Sequence, residues 1–356
     1  MSKILTINPG STSTKFALFD DKTELFGKTI RHDPDELEKF GGIINEFDFR
    51  KNLILNTIAE HNFDLKLLKC VVGRGGLVRK VSCGTYKIND KMLNDLRNPY
   101  LWGRIHASNL GAFIAKSIAD ELGIPSFIAD PITVDEMPDV ARISGIPQIE
   151  REAMQHTLNL RYTAIKMAEE MGRTLVDIRF IGVHMGGGIS IIPVAERRIL
   201  DVNNALLGMG PFSPQRAGAL PIGDLIDMCY SQRFTKKELK TYLAKRGGWI
   251  AYLGTDDCHT VEHRIARGDK KAKLIHNAMC YQVAKEIGAA ATVLEGRVDV
   301  IFLTGGLAHG KMVVDEISRR VSFIAPIRVY PGEFEMEALA QAGMRVLKGE
   351  EEALEY

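Results

Sequence analysis

Apolar and polar positions fall in short blocks along the chain, and the blocks read alternately as strands and helices. Ile4–Asn8 and Thr14–Phe19 are apolar runs of strand length around Gly10–Ser13, a spacing that predicts a hairpin. The polar stretch after it reads as helical, with Asp33, Pro34 and Asp35 as a helix-start signal. Lys69–Gly73 reads as a strand entering Gly73-Arg74-Gly75-Gly76. Beyond His106-Ala107-Ser108, residues Leu110, Phe113, Ile114, Ile118 and Leu122 recur at helical spacing, and Gly123 stops the helix. Pro125–Ala129 is a buried strand that ends at Asp130 and Pro131. A second long helix is predicted from Ile149 to Met171, stopped by Gly172 and joining the two halves. Strands at Phe180–Val183 and Ile189–Pro193 flank a turn at Met185–Gly188. Asn203–Pro221 holds no regular element, and a loop of that length inside a domain is usually functional. Helices dominate Leu225–Glu295, Val298–Leu303 runs as a strand into Thr304-Gly305-Gly306, and Glu335–Leu347 closes as an amphipathic helix.

The pattern of strand, small-residue turn and strand occurs twice, at Ile4–Asp20 and faintly at Phe180–Ile192. Such turns bring backbone N–H groups and hydroxyls close to an anion. Two copies predict a duplicated mixed α/β fold of the actin-like kind that grips a polyphosphate between its halves. The length of 356 residues suits two domains. Composition is that of an ordinary globular protein, and a formal net charge of +1 gives no support for a nucleic-acid or membrane partner. The first apolar run breaks at Asn8-Pro9-Gly10, too early for a signal peptide, and no apolar stretch approaches the roughly 18 residues that span a bilayer. The five cysteines are scattered without Cys-x-x-Cys spacing and read as reduced thiols of a cytoplasmic protein.

Several residues could carry phosphate chemistry. In Asn8–Lys15, Asn8 ends a strand where it can donate to a phosphate oxygen, and the hydroxyl residues, Ser11 and Ser13 among them, allow close backbone approach. The same residues also make a plain hairpin turn. No GxxxxGK[ST] motif and no protein-kinase signature occurs. Arg74 places a guanidinium among flexible glycines, where it suits a phosphate or carboxylate and equally a surface turn. His106 stands at the mouth of a helix whose dipole favours its neutral, hydrogen-bonding form. His156 falls within the predicted helix and His184 ends a strand before Gly186, Gly187 and Gly188; each histidine reads as a ligand-facing group or as a satisfied structural one. Asp130, at a strand end, suits one magnesium ligand or the capping of the next turn. Arg216, between Gly- and Pro-rich flanks, suits a transition-state clamp on a transferring phosphoryl group. Gly305 and Gly306 suit close approach of a nucleotide. Cys258, His259 and His263 read as a surface cluster rather than a metal site, and Trp102 and Trp249 as packing residues.

Taken in order, INPGSTSTK, VGRGG, HASNLGA, Ala129–Pro131, HMGGGIS, SPQRAGALP, FLTGGLAHG and PGEFEMEALA resemble the butyrate kinase branch of the acetate kinase family, from residue 4 to about residue 347. The resemblance implies two duplicated RNase H-like domains of the actin, sugar-kinase and Hsp70 type, with a catalytic cleft between them. The expected boundaries are 1–152, completed by 335–356, and 153–334. It further implies reversible transfer of phosphate from Mg-ATP to butyrate or a related short- or branched-chain acid, giving ADP and an acyl phosphate, in a cytoplasmic homo-oligomer. By local match, Asn8 and Ser13 would contact phosphate, His106, His156 and His184 would be active-site histidines, and Arg216 the transition-state arginine. Asp130 would lie near magnesium, and Glu335, with Glu333 as a neighbouring candidate, would be the acidic residue at the metal. The chain departs from acetate kinases where Arg74 replaces a histidine, where Arg216-Ala217-Gly218-Ala219 replaces Arg-Ser-Gly-Asp, and where Gly186–Gly188 replaces Gly-Asn-Gly. These departures favour butyrate kinase over acetate kinase, and a kinase for acetate, propionate or another carboxylate is the alternative that substrate comparison decides. A non-catalytic nucleotide switch of the same fold is the rival reading. A nuclease of related architecture fits less well, since the first strand ends in Asn8 rather than a carboxylate.

Overall fold

A computed structural model of the protein describes residues 2–103 and 105–356. The chain divides into two compact units, Met1–Val134 with Phe334–Tyr356, and Asp135–Glu333.

The first unit is built on a six-stranded sheet. Its strands are β1 (Lys3–Pro9), β2 (Ser13–Asp20), β3 (Thr23–Arg31), β4 (Leu68–Arg74), β5 (Thr85–Lys87) and β6 (Ser126–Ala129), in the order β3-β2-β1-β4-β6-β5. The first three run antiparallel as a meander, and β1, β4 and β6 run parallel. Leu5, Ile7, Phe16 and Val71 pack against Ile54 and Ile58 of the Phe47–Glu60 helix and Leu110 and Ile114 of the Leu110–Leu122 helix. Ala17 and Phe19 pack instead with Met336 and Ala340 of the Glu335–Leu347 helix.

The second unit repeats the path with β7 (Phe180–Met185), β8 (Ile189–Ala195), β9 (Arg198–Ile199), β10 (Val300–Gly305) and β11 (Ile327–Pro331), in the order β11-β10-β7-β8-β9. Here β7, β8 and β9 form the antiparallel meander, and β7, β10 and β11 run parallel. The two sheets therefore share one five-stranded topology, to which the first adds β5 antiparallel to β6, and the duplicated α/β fold expected from the two small-residue turns is present. Each turn joins the first two strands of its sheet, at the C-terminal end of the central strand, where open α/β sheets bind ligands.

The structure corrects three readings. The polar stretch after Asp20 is strand β3, not helix. It is an edge strand with both faces largely exposed, so no alternation of apolar residues marks it. The helix-start signal beyond it does hold: Asp33 accepts from the Asp35 N–H at 3.0 Å and Pro34 opens a short helix. The second long helix begins at Thr157, not Ile149, and lies wholly inside the second unit. Its expected first residues are drawn off by other bonds: Arg151 N–H donates to Arg142 O at 2.9 Å, and the Arg151 guanidinium grips both oxygens of Asp201. Finally, β5 and β11 are short strands that the hydrophobic pattern does not mark.

Burial holds the thiols of Cys70 and Cys258 up at about 12, so both stay protonated and unreactive, and all five cysteines are free thiols. Among the described residues no helix is long and apolar enough to cross a membrane.

Candidate active site

In the first unit, Asn8, Arg74 and Glu335 meet. Asn8 is the penultimate residue of β1, just before Pro9, and its Nδ2 donates to Glu335 Oε2 at 2.6 Å. Arg74 ends β4, pairs with the other carboxylate oxygen of Glu335, and lies 3.3 Å from Asn8 Oδ1. Glu335 opens the last helix. Parallel pairing of β1 with β4 brings the first two residues side by side, and the helix supplies the third.

The glycines around Arg74 serve packing rather than flexibility. A Cβ on Gly73 would strike the Gly111 carbonyl, and one on Gly111 would lie 2.6 Å from the Arg74 carbonyl. The strand end and the helix start thus touch backbone to backbone, which fixes where the guanidinium begins.

Asp130 follows β6 with φ of +39°, in the left-handed region, and is buried. Its Oδ1 accepts from Gly84 N–H at 2.8 Å, a bond across the sheet end to the start of β5. His106 caps a short 3-10 turn, with Nδ1 accepting from Ser108 N–H at 3.2 Å. An amide N–H can only donate, so in the neutral ring the proton sits on Nε2. Ser11 is exposed and Ser13 half-buried in the β1–β2 turn, which Gly10 N–H closes on Ser13 O at 2.7 Å.

In the second unit, His156 and His184 stack, with ring centroids 4.0 Å apart and planes 14° from parallel. His156 stands at the N-cap of the Thr157–Glu170 helix, not within it, and its Nδ1 is 2.8 Å from Ser190 Oγ. His184 lies in β7, nearly wholly buried. Asn159 Nδ2 meets His184 Nδ1 at 3.0 Å, which leaves Nε2 to carry the proton toward Glu333 Oε1, 3.9 Å away.

Next to this pair is the turn Gly186–Gly188. Ser213 Oγ donates to Gly187 O at 2.6 Å and accepts from Arg216 N–H at 3.1 Å. The Arg216 guanidinium lies over Gly188, where any Cβ would collide with it, and Nη1 donates to the Ala205 carbonyl. A Cβ on Gly187 would press on Gln215, and one on Gly186 would come 3.4 Å from both His184 Nε2 and Glu333 Oε1. Three glycines in a row are thus what lets an arginine, a histidine and a carboxylate crowd one turn. Gly305 exchanges two 3.1 Å bonds with Gly332, and Gly306 opens onto free space.

Sequence motifs do not single out four further residues of this site. Ser190 and Asn159 orient the two histidines, and Ser213 and Gln215 brace the glycine turn. Serine and asparagine are common, so only contact reveals them; Ser213 and Gln215 flank Pro214 in a motif where Arg216 is the one charged group.

A family model described as the acetokinase family matches residues 148–338, over half of the chain. The chain is 49% identical over 354 residues to butyrate kinase 2 of Clostridium acetobutylicum, covering 99% of each. The chain belongs to the acetokinase family. It is also 48% identical to butyrate kinase 1 of the same organism, covering 100% of both chains. Among solved structures, the acetate kinase of Porphyromonas gingivalis superposes with a TM-score of 0.80 at 18% identity, covering 98% of this chain and 100% of that one. As a member of the acetokinase family the protein is a carboxylate kinase, an enzyme rather than a nucleotide switch.

Proposed function

We propose that the protein transfers the γ-phosphoryl group of ATP reversibly to butyrate or a related short- or branched-chain acid. The observation that carries this reading is full-length identity of 49% with a protein named butyrate kinase, together with the site geometry. A substrate carboxylate oxygen attacks the γ-phosphorus in line, the new P–O bond forms as the bond to the bridging oxygen breaks, and ADP leaves. The attacking carboxylate is already anionic, so no general base is needed. The protein's task is to hold two anions together and offset their repulsion.

In the first unit the donors for that task are Asn8, the Ser11 and Ser13 turn, Arg74 and the Nε2–H of His106. In the second they are Arg216, the His156 ring, the Nε2–H of His184, and the backbone of Gly186, Gly187, Gly188, Gly305 and Gly306 along the nucleotide. Magnesium fits the carboxylates by donor chemistry, because it takes one or two of them and completes its shell with phosphate oxygens and water. Glu335 and Asp130 would hold it, with Glu333 as the alternative, and when bound it would neutralise charge on the phosphate oxygens. Glu335 is paired with Arg74 here, so the carboxylate that would hold the metal also holds the guanidinium that would face the substrate anion.

The test is a hydroxamate assay, which traps acyl phosphate, run with ATP and a series of acids from acetate to valerate and isobutyrate, with magnesium and with chelator. Signal peaking at four or five carbons and abolished by chelator is expected. A peak at acetate would reject the acyl assignment.

The cytoplasm is the compartment that free cysteines fit. Self-association is also part of this reading. The Ile222–Tyr230 helix has no buried residue. Leu225 and Cys229 line an apolar cavity of about 750 Å³, while Ile222, Ile226 and Tyr230 are exposed at four-residue spacing. A helix with so little packed beneath it gains its apolar burial from a second copy. Sedimentation velocity should show a dimer or larger species, and a monomer at micromolar concentration would count against it.

A further inference from the structure

The β1–β2 turn rests on a buried cation that neither the mechanism nor the sequence motifs use. Arg50, on the Phe47–Glu60 helix, is fully buried. Its Nη1 donates to Gly10 O at 2.9 Å, Ser13 O at 2.8 Å and Thr14 Oγ1 at 3.0 Å. Glu46, one helical turn earlier and itself buried, accepts from Arg50 Nε at 2.8 Å and lies 2.7 Å from Nη2. A buried guanidinium without such a counter-ion would be strongly unfavourable, so the two residues act as a unit.

The hydrogen-bond directions follow from the donor inventory. Arginine only donates, so Thr14 Oγ1 accepts from Arg50, and the same hydroxyl is hydrogen-bonded to His32 Nε2, 2.8 Å away. Burial first, and the nearby Arg50 charge second, pull the His32 pKa down to about 4, which keeps the ring neutral. His32 also packs on the Phe49 ring. The run Glu46–Arg50–Thr14–His32 therefore holds one buried cation against one buried carboxylate, with a neutral histidine at its end.

The consequence lies in the turn. A turn that binds an anion must aim N–H groups and hydroxyls at it and turn its carbonyl oxygens away. Here the Gly10 and Ser13 carbonyls are both drawn onto one guanidinium from the inner side. We propose that Arg50, with Glu46 as its counter-ion, is a positioning residue that holds the Gly10–Thr14 turn in the shape that receives the phosphoryl group. This rests on the reading of Ser11 and Ser13 as phosphate contacts.

The experiment compares Arg50→Lys, Arg50→Met and Ser13→Ala with the unaltered enzyme by steady-state kinetics in both directions, alongside thermal unfolding. Lysine keeps the charge, but one ammonium nitrogen cannot hold the turn's oxygens and, at the same time, the Glu46 carboxylate that Nε and Nη2 grip. Arg50→Lys should raise KM for the phosphoryl donor, ATP in one direction and acyl phosphate in the other, by about ten- to hundredfold. KM for the carboxylate should stay within about twofold, a split that general loosening of the fold would not produce. Arg50→Met should go further if it folds; Arg50→Lys carries the test if it does not. If Ser13→Ala impairs the donor and Arg50→Lys does not, the positioning role is wrong and the turn reading stands. If Ser13→Ala is silent, the turn reading falls and the proposal with it.

Discussion

Arg216→Ala is expected to lose turnover by about 10²–10³-fold, or roughly 3–4 kcal/mol of transition-state stabilisation, with nucleotide affinity nearly unchanged. The asymmetry follows from how the residue is held. Its backbone is fixed at both ends by Ser213, whose N–H donates to Arg216 O at 3.0 Å and whose Oγ accepts from Arg216 N–H. Its side chain crosses Gly188 to the Ala205 carbonyl. Truncation therefore removes a guanidinium and leaves the loop in place. A preorganised positive group matters most where negative charge is redistributed in the transition state, and less in the ground state. Acyl phosphate trapping measures turnover, and calorimetric titration measures ADP binding. Turnover within tenfold of the unaltered enzyme would remove Arg216 from the clamp role.

The second large effect is on stability. Gly248 has φ of +55°, and a Cβ there would run into the Ser213 carbonyl and come 3.1 Å from that of Arg216. Around it the start of the Gly248–Leu253 helix holds the arginine loop strand-fashion: Gly247 N–H donates to Gln215 O at 2.9 Å, and Ile250 N–H to Pro214 O at 3.0 Å. Gly248→Ala adds a strained backbone to a collision in a packed place, a cost of about 2–5 kcal/mol. Gly254, just after the same helix, has φ of +75° with open space around it. Gly254→Ala should cost only about 1 kcal/mol, the backbone share. Denaturant midpoints followed by tryptophan fluorescence separate the two, since Trp249 is fully buried beside the substitution. Equal shifts would mean that the loop yields freely and is not templated by this helix. The Gly248 variant should lose turnover too, because Arg216 moves with its carbonyl.

Much of the fold is legible in the residues alone. The strand–turn–strand signal at Ile4–Asp20 and again at Phe180–Ile192 marks the central hairpin of each sheet, because those strands are buried on both faces and their turns carry small residues. The Glu335–Leu347 helix matches its expected bounds to the residue. What stays hidden is of two kinds. β3 has a polar pattern because nothing covers it, so periodicity has nothing to report. The second kind is long-range: Asn8 with Glu335, His184 with Asn159, and Arg50 beneath Gly10 are joined by fold, not by spacing. Sequence motifs name the residues facing outward from the turns. The groups that hold those turns from behind are unremarkable in sequence: Arg50 and Asn159 sit in helices, Ser190 in β8 and Ser213 in a loop. For Arg50, the one local trace is the Glu46–Arg50 pair at helical spacing.

The first unit is discontinuous in sequence, and this sets an order of events during translation. Residues 1–134 leave the ribosome before 135–333, and residues 334–356 only after both. Until then Ala17 and Phe19 lack Met336 and Ala340, and Asn8 and Arg74 lack Glu335. The growing chain thus carries an exposed apolar sheet face and an unneutralised arginine for the time taken to make about 200 residues, while the second unit, continuous in sequence, is free to fold as it emerges. Synthesis of the last helix is the step that both closes the first core and assembles its polar cluster, so a nascent chain cannot acquire the Asn8–Arg74–Glu335 arrangement before its fold is complete.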